Sequence, residues 1–259
     1  MRIRGSVVIV TGASSGIGAA TARELARAGA TVALAARRPA ELAELAREID
    51  LAGGAALAAP TDVASRADID RLVETVIEKY GRIDALVNNA GIGGGSSMAD
   101  DDVEMERIVT VNLLGPARLA QAVLPHMRRQ GGGVIVNIGS VAGDVGVSGV
   151  YSASKFGLRG LSDALRRELR HDHIAVALIA PGFIRTAMTE GLRGIPFIPG
   201  PDAVARAVVS VIEHPRRKVV VPWHYTPLIL LATLAPGLVD RVVGSRQVQR
   251  RYRERPRTR

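Results

Sequence analysis

The chain has 259 residues, 47% of them hydrophobic, with no cysteine and a formal net charge of +9. Without cysteine there is no disulfide, thiolate metal site or cysteine nucleophile. The apolar content argues against disorder, and the lack of an uninterrupted apolar run near about twenty residues argues against an ordinary spanning helix. The charge is uneven: over residues 246–259 seven arginines face Glu254 alone, a net +6 of the total +9. The body is therefore only mildly basic, and with no aromatic-rich surface it does not read as a nucleic-acid binder.

Residues 1–5 are basic, but the apolar run behind them is broken at once by Thr11 and Gly12, so no secretory leader is expected. The expected location is the cytoplasm, with peripheral membrane contact as an option for the C-terminal end. Residues 7–10 form a β-branched run, residues 16–29 carry small and apolar side chains at helical spacing, and residues 31–36 are apolar again, which predicts a βαβ opening. A helix over 41–50, a strand over 55–59, a helix over 65–80 and a strand over 85–87 continue the alternation. Later strand candidates are 134–138, 175–179 and 219–221, separated by helical pattern. This order predicts an α/β fold, one doubly wound domain with a parallel sheet covered on both faces. No linker interrupts it, so residues 1–224 are read as the domain and 225–259 as an apolar, then arginine-rich extension.

The first strand runs into Thr11-Gly12-Ala13-Ser14-Ser15-Gly16-Ile17-Gly18 and then a helix. Glycines at such a turn give a pyrophosphate close backbone approach, donor N–H groups and the positive end of a helix dipole, although they also serve simple helix-on-sheet packing. The second strand ends at Ala36, where a carboxylate would bind ribose hydroxyls. Arg37 and Arg38 follow instead. Forked guanidinium donors suit a 2′-phosphate, which favours NADP(H) over NAD(H), against the alternative of a solvated surface. Asp62, beside Val63, is placed either to accept from an adenine amino group or to cap the next helix. In Asn88-Asn89-Ala90-Gly91, at the end of the fourth strand, the asparagines either tie loop backbones together or touch the cofactor.

Tyr151 and Lys155 are four apart at the start of a helical stretch, so they share a face. A nearby ammonium favours phenolate and draws the tyrosine toward the working range of an acid or base. Taken with the glycine-rich turn, Asn88 to Gly91, Asn112, Ser140 and Pro181-Gly182 in this order, the chain resembles the short-chain dehydrogenase/reductase family over roughly residues 5–222. The resemblance implies a Rossmann-type domain with a seven-stranded parallel sheet, and an NAD(P)-dependent enzyme that interconverts an alcohol and a ketone or aldehyde without a metal, as a homodimer or homotetramer. It implies a catalytic group of Asn112, Ser140, Tyr151 and Lys155. Ser140 would hydrogen-bond the substrate oxygen, Tyr151 would pass the proton, Lys155 would lower the tyrosine pKa and hold the cofactor ribose, and Asn112 would position a water. Cofactor contacts are implied at Gly12, Ser14, Ser15, Gly16, Ile17 and Gly18, at Arg37, Arg38, Asp62 and Val63, and at Asn89, Ala90 and Gly91. Tyr151, Lys155, Pro181, Gly182, Ile184 and Thr186 complete that set, with helix capping as the alternative part for Thr186.

The chain departs from the family pattern between Ser140 and Tyr151. They are eleven positions apart, about two fewer than in many relatives, with Gly139 in place of a frequent second serine, so residues 141–150 must be tight or differently routed. Ser148 is a weaker rival for the serine role. After the sixth strand, Phe183, Ile184, Met188, Leu192, Ile195, Phe197 and Ile198 predict an apolar lid and hence an apolar substrate, unless they only close the core. The extension from residue 225 is expected to meet a membrane surface, a neighbouring subunit or the domain's own pocket. A non-catalytic dinucleotide-binding regulator or a membrane-surface adaptor on the same fold is the competing reading.

Overall fold

The computed structural model describes residues 1–93, 101–186, 189 and 198–243. Seven strands, β1 (Val7–Thr11), β2 (Thr31–Ala36), β3 (Ala55–Pro60), β4 (Ala85–Asn88), β5 (Gly133–Ile138), β6 (Ile174–Pro181) and β7 (Lys218–Val221), form one sheet in the order β3-β2-β1-β4-β5-β6-β7. Every pairing is parallel. The doubly wound α/β fold expected from the alternating pattern is thus the observed one. The order reverses beside β1, and in such sheets ligands bind at that switch point, beyond the carboxyl ends of the strands.

Side chains alternate across a strand, and the buried apolar residues divide accordingly. Val8, Val10, Val32, Leu34, Val134 and Val136 pack on one face against helices α1 (Gly16–Arg27), α2 (Pro39–Leu51) and α7 (Asp202–Glu213). Val7, Ile9, Ala33, Leu86, Ile135 and Val176 pack on the other against α3 (Arg66–Tyr80) and α5 (Gly115–Arg129). Helix α2 begins two residues before the expected start because Pro39 sits at its first position, where a fixed φ and a missing N–H cost nothing.

Helix α4 (Asp102–Val109), a π-helical turn over Thr110–Leu114 and α5 form one helical run, Asp102–Arg129, that is long and apolar enough by composition to cross a bilayer. It lies in the domain, burying Ile108, Leu119, Val123 and Met127. Helix α6 (Gly149–Glu168) carries Tyr151 and Lys155. Beyond β7, α8 (Thr226–Leu234) and α9 (Pro236–Val243) fold back over the loop that follows β5, where Ile229 and Val239 join Val141 and Val145 in a small cluster.

Candidate active site

The glycine-rich turn after β1 is shaped by close backbone approach. Gly12 and Gly16 hold φ of +65° and +56°, the left-handed region that side chains resist. A Cβ on Gly12 would lie 2.9 Å from the Ala90 Cα, and one on Gly18 would overlap the Gly12 carbonyl. Asn89 ties this turn to the end of β4, with Nδ2 donating to the Thr11 carbonyl at 2.8 Å and the Gly12 carbonyl at 3.3 Å. The Thr11 hydroxyl in turn accepts from the Asn89 and Ala90 amides, both at 3.0 Å. Asn88 points elsewhere: its Nδ2 donates to Asn137 Oδ1 at 2.9 Å inside the sheet.

At the end of β2, Arg38 reaches across to the same turn. Its Nη2 donates to Ser14 Oγ at 2.9 Å, and its Nη1 pairs with Glu41 at 3.2 Å. Arg37 is exposed beside it, lining the same cavity. Asp62 is not the cap of α3. Ser65 is, accepting from the Asp68 amide at 3.2 Å, while Asp62 Oδ1 accepts from the Ala64 amide at 2.9 Å and holds its own loop.

The other end is built by β5, α6 and the π-helical turn. Ser140 caps a short 3-10 turn over Val141–Gly143, its Oγ accepting from the Ala142 amide at 3.1 Å. Its hydroxyl also hydrogen-bonds the Tyr151 side chain. The short Ser140 to Tyr151 loop is made tight by Gly143, where a Cβ would come within 2.7 Å of the Lys155 carbonyl oxygen. Asp144 Oδ1 staples it further, accepting from Arg159 at 2.5 Å and from Lys218 at 2.6 Å. Asn112, fully buried in the π-helical turn, is engaged with protein on both sides of its amide. Oδ1 accepts from the Ile92 amide at 2.9 Å, and Nδ2 donates to the Ile92 carbonyl at 3.0 Å and to Ser154 Oγ at 3.2 Å.

Lys155 is 5% exposed and donates to the Ile138 carbonyl at 3.0 Å, with Nζ 6.0 Å from the centre of the Tyr151 ring. Burial draws its pKa down to about 8. Burial pushes the Tyr151 phenol above its ordinary value, partly offset by the Ser140 hydrogen bond. The net direction at Tyr151 is thus upward, set by desolvation against the Ser140 hydrogen bond. The Lys155 ammonium is turned toward the Ile138 carbonyl.

These groups line one cavity of about 700 Å³ that holds every catalytic and cofactor-contact residue the family resemblance implied except Asn112 and Gly18, whereas Asn88, Ser148, Phe183 and Ile198 do not line it. Asn112 and Gly18 stand immediately behind it: a Cβ on Gly91 would fall 3.3 Å from Asn112 Oδ1 and 3.5 Å from Lys155 Nζ, and Gly18 abuts Gly12. Thr186 faces Gly16 across the cleft and gives its backbone N–H to Thr189 Oγ1 at 3.0 Å. The sequence reading missed Thr61, Ile92, Glu104, Arg107 and Thr189, which also line the cavity. Of these only Thr189, three residues past Thr186, left a local signal. Of the expected lid, Phe183, Ile184 and Ile198 are described, whereas Met188, Leu192, Ile195 and Phe197 lie outside the described residues. Tyr225 lies so close over Gly182 that a Cβ there would overlap its ring, and it meets Phe183 edge-on at 6.4 Å. The elongated cleft, with a glycine turn at Gly12 that packs too closely on Asn89 and Ala90 for any Cβ and guanidinium groups at one end, fits a dinucleotide.

Comparison with known proteins agrees with this geometry. The family described as short chain dehydrogenase matches residues 6–194. The ketoacyl reductase HetN of a Nostoc species is 37% identical, with 93% of this chain and 88% of that protein aligned. A short chain dehydrogenase/reductase from Burkholderia phymatum, solved in complex with NAD, superposes with a TM-score of 0.85 at 25% identity over 92% of this chain and 96% of that one. A metagenomic short-chain oxidoreductase in complex with NADP gives 0.75 at 36% identity over 85% and 98%.

Proposed function

The chain belongs to the short-chain dehydrogenase family of nicotinamide-dinucleotide-dependent oxidoreductases, and on that premise we propose that it is an NADP(H)-dependent enzyme reducing an apolar ketone or aldehyde to the alcohol, with Tyr151 as proton donor. The observation that carries this reading is the single cavity that has Arg37 and Arg38 at one end and Ser140, Tyr151 and Lys155 at the other.

Gly12, Ser14, Ser15, Gly16 and Ile17 would receive the pyrophosphate on backbone N–H groups, with Gly18 letting α1 approach. Arg37 and Arg38 would take the 2′-phosphate, and the Arg38 bond to Ser14 already orients its guanidinium toward the cradle. Asp62, Val63, Asn89, Ala90 and Gly91 would flank the adenosine and ribose groups. Pro181, Gly182, Ile184 and Thr186 would hold the nicotinamide end. When bound, the nicotinamide supplies the hydride.

The residues of the chain do the rest. A phenol held above its usual pKa enters the reaction protonated at neutral pH, as an acid must for carbonyl reduction. Tyr151 Oη gives its proton to the carbonyl oxygen as negative charge grows there. The Ser140 hydroxyl, whose oxygen is fixed by the Ala142 amide, donates to the same oxygen and stabilises that charge. Lys155, held by the Ile138 carbonyl, retains donors for a ribose hydroxyl and stabilises the tyrosinate left behind. Asn112 fixes the Ile92 backbone behind the lysine and so holds that side of the site in place. Ile92 and Ile184 line the cavity and the Phe183–Tyr225 pair packs beside it against Gly182, which supports an apolar substrate. A homo-oligomeric assembly is part of the proposal, as is usual for the family.

The test is a panel of alkyl and aryl ketones and aldehydes with NADPH and NADH. The expected result is NADPH oxidation that is fastest with apolar carbonyls and at least about tenfold weaker with NADH. Tight NADPH binding with no turnover across the panel would favour a regulator and overturn the proposal.

A further inference from the structure

Helix α8, Thr226–Leu234, reads TPLILLATL and carries no charge on any side. A helix apolar all round is ordinarily buried all round. This one touches the domain along one edge, where Ile229 packs with Val141, Val145 and Val239. The rest of it faces outward: Leu234 is 81% exposed and Leu230 55%, with Trp223 just upstream at 76% and Leu238 of α9 at 50%. Directly beyond α9, residues 246–259 hold seven arginines and a single glutamate.

We propose that Trp223 and the exposed leucines of α8 and α9 dock into the headgroup layer of an anionic membrane, with the terminal arginines binding lipid phosphates. Nine residues at about 1.5 Å each make α8 about 14 Å long, under half of the roughly 30 Å hydrocarbon core. It therefore lies in the interface and does not span. Tryptophan is suited to that depth, and an apolar insertion joined to a polybasic segment supplies the two signals that stable peripheral binding needs. The competing occupant is a second copy of this chain. A two-fold interface sets a patch against itself, so it would bring two +6 segments together, whereas lipid phosphates offer the opposite charge. The docking claim stands apart from the proposed reaction, because its readout is binding alone.

Vesicle flotation of the full chain tests it, using phosphatidylcholine with and without phosphatidylglycerol, beside the oligomeric mass in solution. The expected result is flotation with anionic vesicles that falls at least about tenfold on neutral ones and at high salt. Leu230→Glu with Leu234→Glu, and separately serine in place of all seven terminal arginines, are each expected to lose at least about tenfold while NADPH binding persists. Should the leucine variant fail to fold, the arginine variant alone decides. Absence of flotation by the unaltered chain, undiminished flotation by either variant, or a drop in oligomeric mass on introducing the glutamates would overturn the proposal. The last result would make the patch a subunit interface.

Discussion

At the proposed cofactor end of the cavity, Gly12 and Gly18 let backbone meet backbone, Gly16 holds a left-handed φ, and Arg37 and Arg38 stand partly in solvent. At the proposed catalytic end, Lys155 and Tyr151 are shaped by what buries them, one drawn down to about 8 and the other pushed above its ordinary value. The cofactor end thus depends on conformation and reach, and the catalytic end on desolvation. Substitutions at the two ends should separate accordingly, in binding for the first and in proton chemistry and stability for the second.

Lys155→Met should show the contrast most strongly. Carbonyl reduction should fall about a thousandfold, since the group that supports the tyrosinate and the ribose is gone. Without cofactor the variant should nonetheless be the more stable protein at pH 7. A lysine whose folded pKa lies below its unfolded value penalises folding below pH 8, and the penalty lifts as pH rises from about 8 to 10.5. The gain, at most on the order of 3 kcal/mol, should appear as a higher Tm at pH 7 that shrinks toward pH 10. A Tm difference that does not change with pH would break the desolvation account.

Asp144→Ala ranks next. Its side chain is 2% exposed, and it joins the loop after Ser140 to Arg159 and Lys218, so its loss should cost about 2–4 kcal/mol of stability, discounted for the partial exposure of both cations. Urea denaturation measures this, and kcat should fall more than NADPH affinity because the serine loosens while the cradle is untouched. At the cofactor end, Arg37→Ala and Arg38→Ala should each weaken NADPH by about tenfold to a hundredfold and leave NADH nearly unchanged, a charge-assisted contact being worth about 1.5–3 kcal/mol. Dissociation constants for the two cofactors check this, and equal losses would remove the phosphate role.

The same contrast explains what could be read in advance. The glycine turn, the strands and Arg37/Arg38 were legible because local backbone demands and strand ends leave marks in sequence. Tyr151 and Lys155 were legible only through their spacing and their place after Ser140. The direction of the tyrosine shift was not, since it depends on burial supplied by distant segments. Asn88 and Asn89 are adjacent in sequence, yet one knits the sheet and the other the cofactor turn, a division made by strand alternation. Glu104 and Arg107 reach the cavity from α4 with no motif to announce them. The exposure of α8 was equally hidden, because its composition is that of a buried helix.

The most direct measurement is carbonyl reduction by Tyr151→Phe beside its NADPH dissociation constant. The account predicts kcat/KM lowered by about a thousandfold or more with NADPH affinity within about twofold of the unaltered enzyme, because only the proton donor is removed. Turnover retained by the phenylalanine variant, or lost only in step with NADPH binding, would contradict it.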